Sequence, residues 1–532
     1  MSRTHPPLWL VLIVAVVLAS CSALPRTVPT SRAEPDDPSA PASSIASPGV
    51  PSATPTPDPT LWVAAENARQ GTTDWQLAAV ADDATLSGFA DRASVVAGEP
   101  VVLRVSSTAA SWTATVYRLG FYAGAGARRV WASPPVPGVR QAAPVIEPGN
   151  MVTAAAWTPS LSLDTGGWLP GSYLVTLVTS TGQGRHIPLT VRSDSFRGRL
   201  VLLSATTTYQ AYNTWGGHSL YLGPQGFDDR ARRVSFDRPY DRDGARIPLG
   251  YEWPVIFLAE RLGLDLGYAT VVDLERGADA FAGARGLVSL GHDEYWSVPM
   301  RDSAEALRDR GVNLAFLGAN AVYWRVRTAP SALGPARVVE GYKDAGADPV
   351  KGATSTTLWR RSPNARPEST LVGMLYECFP ADGALVVRDP DFFLFAGTGA
   401  TRGSSYPGLV GTEIDRAYPA PLAPETLRVV AHSPVACGTI GKTYSDMTYY
   451  TVPSGAGVVA VGTMNWRYGL ETVPQPGTAL TAASLAFATT VTENLFRAMA
   501  AGPMGLTRPA TSNLAEIAPP VSTRTGTGGA VG

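Results

Sequence analysis

Four short runs constrain this chain more than any other feature: Leu200-Val201-Leu202-Leu203, Gly286-Leu287-Val288-Ser289-Leu290, Val312-Asn313-Leu314-Ala315-Phe316-Leu317 and Gly457-Val458-Val459-Ala460-Val461-Gly462. Nearly unbroken apolar character, without period-two alternation, marks strands buried on both faces. Helical segments lie between or after them. Pro254 to Leu262 is stopped by Gly263, a second helix is N-capped by Ser297 with Pro299 in its first turn, and a third runs from Ala482 to Ala501. Strands alternating with helices predict a mostly parallel, two-sided sheet. The ends of the strands are polar or aromatic: Thr206 to His218, His292-Asp293-Glu294-Tyr295-Trp296, Asn320, and Met464-Asn465-Trp466-Arg467-Tyr468. In a parallel sheet these ends share one edge, where open α/β sheets hold their ligands.

The segments on either side follow different rules. Residues 61–195 consist of short alternating runs with Gly/Pro punctuation, among them Pro100–Val105, Trp112–Tyr117, Gly171–Val178 and His186–Val191, and predict a β-sandwich. Residues 196–505 form the α/β region, with inserted β-structure around 327–450. Arg3 followed by an apolar stretch from Leu8 to Leu18 reads as a signal peptide over residues 1–20, too short to span a bilayer. Leu18-Ala19-Ser20-Cys21 matches a lipobox, which predicts lipidation of Cys21 and attachment to the outer face of a bacterial cell membrane. Residues 21–60 form a Pro/Ser/Ala-rich tether, and 506–532 a disordered tail. A formal net charge of −1 argues against nucleic acid as a partner. The pairing of Cys378 with Cys437, and a homo-oligomeric state, are left open.

The chemistry at the strand ends can be narrowed by what is missing. No Gly-x-Ser-x-Gly elbow occurs, neither Cys378 nor Cys437 lies in a Gly-x-Cys-x-Gly setting, and there is no Gly-rich phosphate loop. Only His218 and His292 lie in the candidate loops, so a multi-histidine zinc site is not expected. The oxygen-rich remainder suits a hard cation. The same residues also have a structural reading: His292 and Asp293 can cap the helix that follows, and Tyr209, Tyr212 and Trp215 can be packing residues.

Thr208-Tyr209-Gln210-Ala211-Tyr212-Asn213-Thr214-Trp215-Gly216-Gly217, Ser235-Phe236-Asp237-Arg238-Pro239-Tyr240 and Gly291-His292-Asp293-Glu294-Tyr295-Trp296-Ser297, with Tyr117-Arg118-Leu119-Gly120-Phe121-Tyr122-Ala123-Gly124 upstream, resemble the large (β) subunit of N,N-dimethylformamidase and its relatives. The resemblance implies a class I glutamine-amidotransferase-like, flavodoxin-like parallel-sheet domain behind an immunoglobulin-like β-sandwich. It also implies a mononuclear ferric iron on two tyrosinates and a glutamate, hydrolysing a small amide. Carried over residue by residue, Glu294 is the metal glutamate and Tyr212 the first tyrosine. Tyr251 is the second, with Tyr240 as the alternative. His292, Asn320 and Glu413 are the catalytic group. The expected function is a metal-dependent hydrolase of a small amide-type C–N bond at a membrane surface. The rival is a non-catalytic surface lipoprotein that binds a glycan or small ligand on Trp215, Trp296 and Trp466.

Overall fold

The computed structural model describes residues 62–517, except Pro476. The expected signal segment, the lipidation site Cys21, the tether and residues 518–532 of the expected tail lie outside the described residues.

Strict alternation builds the first layer. In Val101–Ser107 every second residue is buried, so Val101, Leu103 and Val105 face inward. That strand lies between Leu86–Ala90 and Leu161–Leu163 in a three-stranded sheet. A six-stranded sheet packs against it, with Ser111–Leu119, Gly171–Thr179 and Gly184–Arg192 at its centre and Ala127–Ala132 at one edge. Trp112, Val116, Val175 and Ile187 fill the space between the two sheets.

The second layer is a nine-stranded sheet, whose strands are numbered here in chain order: β1 Leu200–Ser204, β2 Leu266–Thr270, β3 Gly286–Ser289, β4 Asn313–Phe316, β5 Leu375–Val386, β6 Ser405–Arg416, β7 Arg428–Cys437, β8 Gly441–Thr451 and β9 Gly457–Ala460. Their spatial order is β2-β1-β3-β4-β9-β8-β7-β5-β6. The first five in that order run parallel; β9 to β6 pair antiparallel. The four longest α-helices among the described residues are α1 Thr206–Tyr212, α2 Trp253–Arg261, α3 Val298–Arg308 and α4 Ala482–Ala501. Ser297 N-caps α3, accepting from the Met300 N–H at 3.4 Å, and Thr481 caps α4 through Ser484 N–H at 3.1 Å. A disulfide, Cys378–Cys437, ties β5 to β7. Tyr295–Ser297 and Trp324–Ser331 belong to a four-stranded sheet, and a two-stranded ribbon makes the fifth sheet. Residues 506–517, expected to be tail, include the end of a short helix, Met504–Thr507, and hold Asn513 against the backbone of Val429 at 2.9 Å.

The expected class, an immunoglobulin-like sandwich with a flavodoxin-like parallel α/β domain, is therefore corrected. The described chain is mostly β, with five sheets of mixed direction and few helices. The apolar runs do form parallel strands buried on both faces, as their composition required. Two things were not visible in them. β2 to β3 is bridged by 3-10 turns, Val271–Arg276 and Ala278–Phe281, where a doubly wound fold has a crossover helix. The segment expected as an insertion supplies β5 to β8, which extend the same sheet.

Sandwich and large sheet share polar contacts. Ser193 N–H donates to the Tyr268 carbonyl at 3.0 Å, and Tyr268 N–H to Ser193 Oγ at 3.1 Å. Arg118, on the sandwich strand Ser111–Leu119, meets Glu260 of α2 at 2.6 Å, both side chains fully buried.

Candidate active site

The end of β3 is shaped by close backbone approach. A Cβ at Gly318, just past β4, would lie 2.3 Å from the Gly291 carbonyl oxygen, so only glycine lets these two strand ends meet. Beyond Gly291 the chain runs over α1. Thr208 Oγ1 accepts the Glu294 N–H at 3.1 Å, and Thr207 Oγ1 donates to the Tyr295 carbonyl at 2.7 Å. Thr207 and Thr208, in the polar run that follows β1, thus hold the loop that carries His292 and Glu294.

Four groups meet on the buried Glu294 carboxylate. The Tyr212 hydroxyl donates to Oε2 at 2.8 Å and the Tyr221 hydroxyl to Oε1 at 2.7 Å; the two phenol oxygens are 3.3 Å apart. Their rings stack with centroids at 4.8 Å. Asn320 Nδ2 donates to Oε1 at 3.2 Å, and His292 Nε2 lies 3.4 Å from Oε2 and 3.1 Å from the Tyr212 hydroxyl. Glu294, His292 and Asn320 are buried, whereas Tyr212 and Tyr221 are half-buried.

Asn320 sits in the left-handed region at φ 58° and is held there by its N–H, which donates to Asp415 Oδ1 at 2.8 Å. Asparagine tolerates that conformation better than most residues. Two residues before Asp415 on β6 is Glu413, whose side chain reaches the Asn320 amide. The register is broken here, Thr412 has φ 43°, and the Glu413 Oε2 atom is buried without a hydrogen-bond partner. Such bulges re-aim side chains.

Charge in the site is shared unevenly. Burial, then the negative Glu294, push the Tyr212 and Tyr221 phenols well above their ordinary range, so both hold their protons and donate to the carboxylate. Burial opposes ionisation of Glu294, but the hydrogen bond and charge of His292, with Lys343 and Tyr221, outweigh it and hold this carboxyl below its usual range. Burial would likewise lower His292, yet Glu413 and Glu294 leave it raised. Burial lifts Glu413 to about 7. Asp293, also lifted by burial to about 7, accepts from Ser289 Oγ at 3.1 Å inside the core.

Tyr212, Glu294, His292 and Asn320 are thus brought together as the sequence suggested, and Glu413 reaches Asn320 from β6, the edge strand of the large sheet. The second phenol on Glu294 is that of Tyr221, a residue the sequence reading passed over. Tyr251 packs against His292 with ring centroids 5.9 Å apart, under the Arg467 guanidinium at 3.4 Å from its ring. Tyr240 packs edge-on against Tyr209. His218 pairs with Asp229 at 3.9 Å. Lys343 was also missed. Its Nζ is buried 3.1 Å from the Tyr221 ring centroid with no hydrogen-bond partner, and burial drives it well below the ordinary lysine range. The available signal was rarity: Lys343 is one of three lysines in the chain. Trp215, Trp296 and Trp466 lie in three separate cores and are 5 %, 1 % and 0 % exposed, so they form no stacking platform.

Among the described residues no three His, Cys, Asp or Glu side chains converge as metal ligands. The donor set here is different in kind, two phenols and one carboxylate whose oxygens lie within 2.7–3.3 Å of one another. Hard oxygen donors at that spacing fit a small, hard, highly charged cation, which would displace the phenolic protons.

A family model described as N,N-dimethylformamidase beta subunit-like, C-terminal, matches residues 113–479. No curated protein matches the chain. Among solved structures, a Paenibacillus sp. cycloisomaltooligosaccharide glucanotransferase complexed with cycloisomaltoheptaose aligns at 12 % identity with a TM-score of 0.14. That alignment spans 22 % of this chain and 15 % of the other, too little to carry an argument about fold.

Proposed function

The chain belongs to the N,N-dimethylformamidase beta subunit-like family, and from that premise we propose that it is a metal-dependent hydrolase of a small amide-type C–N bond. The observation that carries this reading is the convergence of the Tyr212 and Tyr221 phenols on the Glu294 carboxylate. These three residues would hold a mononuclear ferric ion. Bound there, it supplies Lewis acidity toward a carbonyl and makes water a better nucleophile near neutral pH.

The remaining groups have roles that follow from where they lie. Asn320 offers an amide N–H, fixed through Asp415, on the Glu294 side of the site, where it can orient a carbonyl-containing substrate. Glu413, lifted to about 7, suits a group that accepts a proton from attacking water and returns it later. His292, raised by its two carboxylate neighbours, holds a proton that the departing amine nitrogen needs when the C–N bond breaks. The products are a carboxylate and an amine. Export, lipidation at Cys21 and attachment to the outer face of a bacterial membrane are part of the proposal and rest on the N-terminal sequence alone.

Elemental analysis of the purified protein beside Glu294→Ala, with release of amine from a panel of small N-alkyl formamides and acetamides, tests the reading. Near-stoichiometric iron and amine release, both lost in the variant, are expected. Protein that takes up no iron, or a variant that keeps both properties, overturns it.

A further inference from the structure

A second concavity lies on the sandwich layer and shares no residue with the Glu294 site. It is a cleft of about 410 Å³ between the edge strand Ala127–Ala132 and the loop 164–170, a volume within the range of small-molecule sites. Most of its lining surface is polar, and two indoles contribute to the apolar part. Trp131 comes from the edge strand and Trp168 from the loop, both half-buried. Trp168 is held rigid by a parallel stack on Tyr173, with centroids at 5.3 Å and planes 16° apart, and the Tyr173 hydroxyl donates to the Leu169 carbonyl at 2.6 Å. Beside Trp168 the loop is cut back to Gly166 and Gly167, and a Cβ at Gly167 would meet nothing within 4 Å.

The polar groups in this cleft are fixed but not used up. Asp164 Oδ1 accepts the Gly166 N–H at 2.8 Å, which orients the carboxylate and leaves Oδ2 without a protein donor among the described residues. Arg69 spends only Nε, on Glu66 at 3.3 Å, and its side chain is 61 % exposed. Arg128 is committed to Glu66, at 2.6 Å through Nε and 2.5 Å through its second guanidinium nitrogen. Neither Trp131 nor Trp168 has a protein acceptor for its indole N–H among the described residues. The two arginines are balanced by Glu66 and Asp164, so the cleft carries no net charge. It is therefore built neither for a polyanion nor for a cation.

The geometry points to a binding site for a chain of neutral hexopyranose sugars. Aromatic planes cover the C–H face of a pyranose ring, while a carboxylate, a guanidinium and indole N–H groups meet its hydroxyls. The site would tether the protein to a polysaccharide independently of catalysis.

Affinity electrophoresis of the full chain, in native gels containing glycogen, laminarin or galactomannan with polygalacturonate as the charged control, tests this. At least one neutral polysaccharide should retard the protein. Trp131→Ala and Arg69→Gln should each weaken that retardation about tenfold in apparent affinity, with the melting temperature of Arg69→Gln unchanged. Glu294→Ala should be retarded like the wild type. Retardation by none of the neutral polymers, or by polygalacturonate alone, overturns the proposal. So does retardation that survives both cleft substitutions or disappears in Glu294→Ala.

Discussion

At the scale of single residues, the site turns on which tyrosine shares Glu294 with Tyr212. Tyr251 is the expected second ligand, although its segment, Tyr251-Glu252-Trp253-Pro254, departs from the family's pattern. Tyr221 lies in Ser219-Leu220-Tyr221-Leu222, where apolar neighbours make a tyrosine read as packing. It is aimed by Ser219 Oγ, which accepts the N–H groups of Tyr221 and Leu222 at 3.2 and 3.1 Å, a local turn that no spacing rule exposes. Asn320→Gly keeps the left-handed backbone while deleting the amide that reaches Glu294. Iron content should be unchanged and turnover should fall ~10²-fold, as when one placed donor is removed; steady-state kinetics with elemental analysis would check both. His186 gives a separate prediction. Burial pushes it from 6.5 to about 3, so the folded chain refuses a proton that the unfolded chain accepts. Its contribution is present above pH 6.5 and is lost as pH falls toward 3, about 2 kcal/mol by pH 5. Urea unfolding at pH 7 and pH 5 should therefore show a smaller acid loss for His186→Gln than for the wild type.

Among the elements, the strands and helices that position the site were readable where one rule governed them. Ala482 to Ala501 is a helix with the predicted limits, and Ser297 is the N-cap that its sequence proposed. The edge carrying His292 and Asn320 followed from the parallel strands. Strand direction beyond β9 was not readable. β5 to β8 are bulged and rich in Gly, Pro and Thr, and their partners are set by contacts distant in sequence. The disulfide links β5 and β7 across 59 residues, and closing a loop of that length contributes roughly 4 kcal/mol in the chain-entropy model. Reduction, or Cys378→Ala with Cys437→Ala, should lower the melting temperature, measured by calorimetry with and without reductant.

In the molecule as a whole, the two layers are joined through charges that were not legible as partners. Arg118 is 142 residues from Glu260, and nothing in a single sequence pairs them. In the structure Arg118 also donates to the Pro170 carbonyl at 2.9 Å, and the Tyr268 hydroxyl donates to Glu260. Removing one member leaves a buried charge unpaired. Arg118→Met should cost about 3–5 kcal/mol and still give a single unfolding transition, because sandwich and large sheet lose the same support; chemical denaturation followed by both fluorescence and circular dichroism would show whether the transitions coincide. The parallel strands β1 to β4 and β9 are buried at every position, which is why composition located them correctly and yet suggested a more regular winding than the chain adopts.

The visible spectrum of the iron-loaded protein bears most directly on the Tyr212–Tyr221–Glu294 centre. Ferric iron on tyrosinate absorbs in the visible, and the band reports which phenols are ligands. Tyr221→Phe should shift and weaken that band with loss of iron affinity, while Tyr251→Phe should leave both as in the wild type. A band untouched by Tyr221→Phe, or abolished by Tyr251→Phe, would contradict the assignment of Tyr221 as the second ligand.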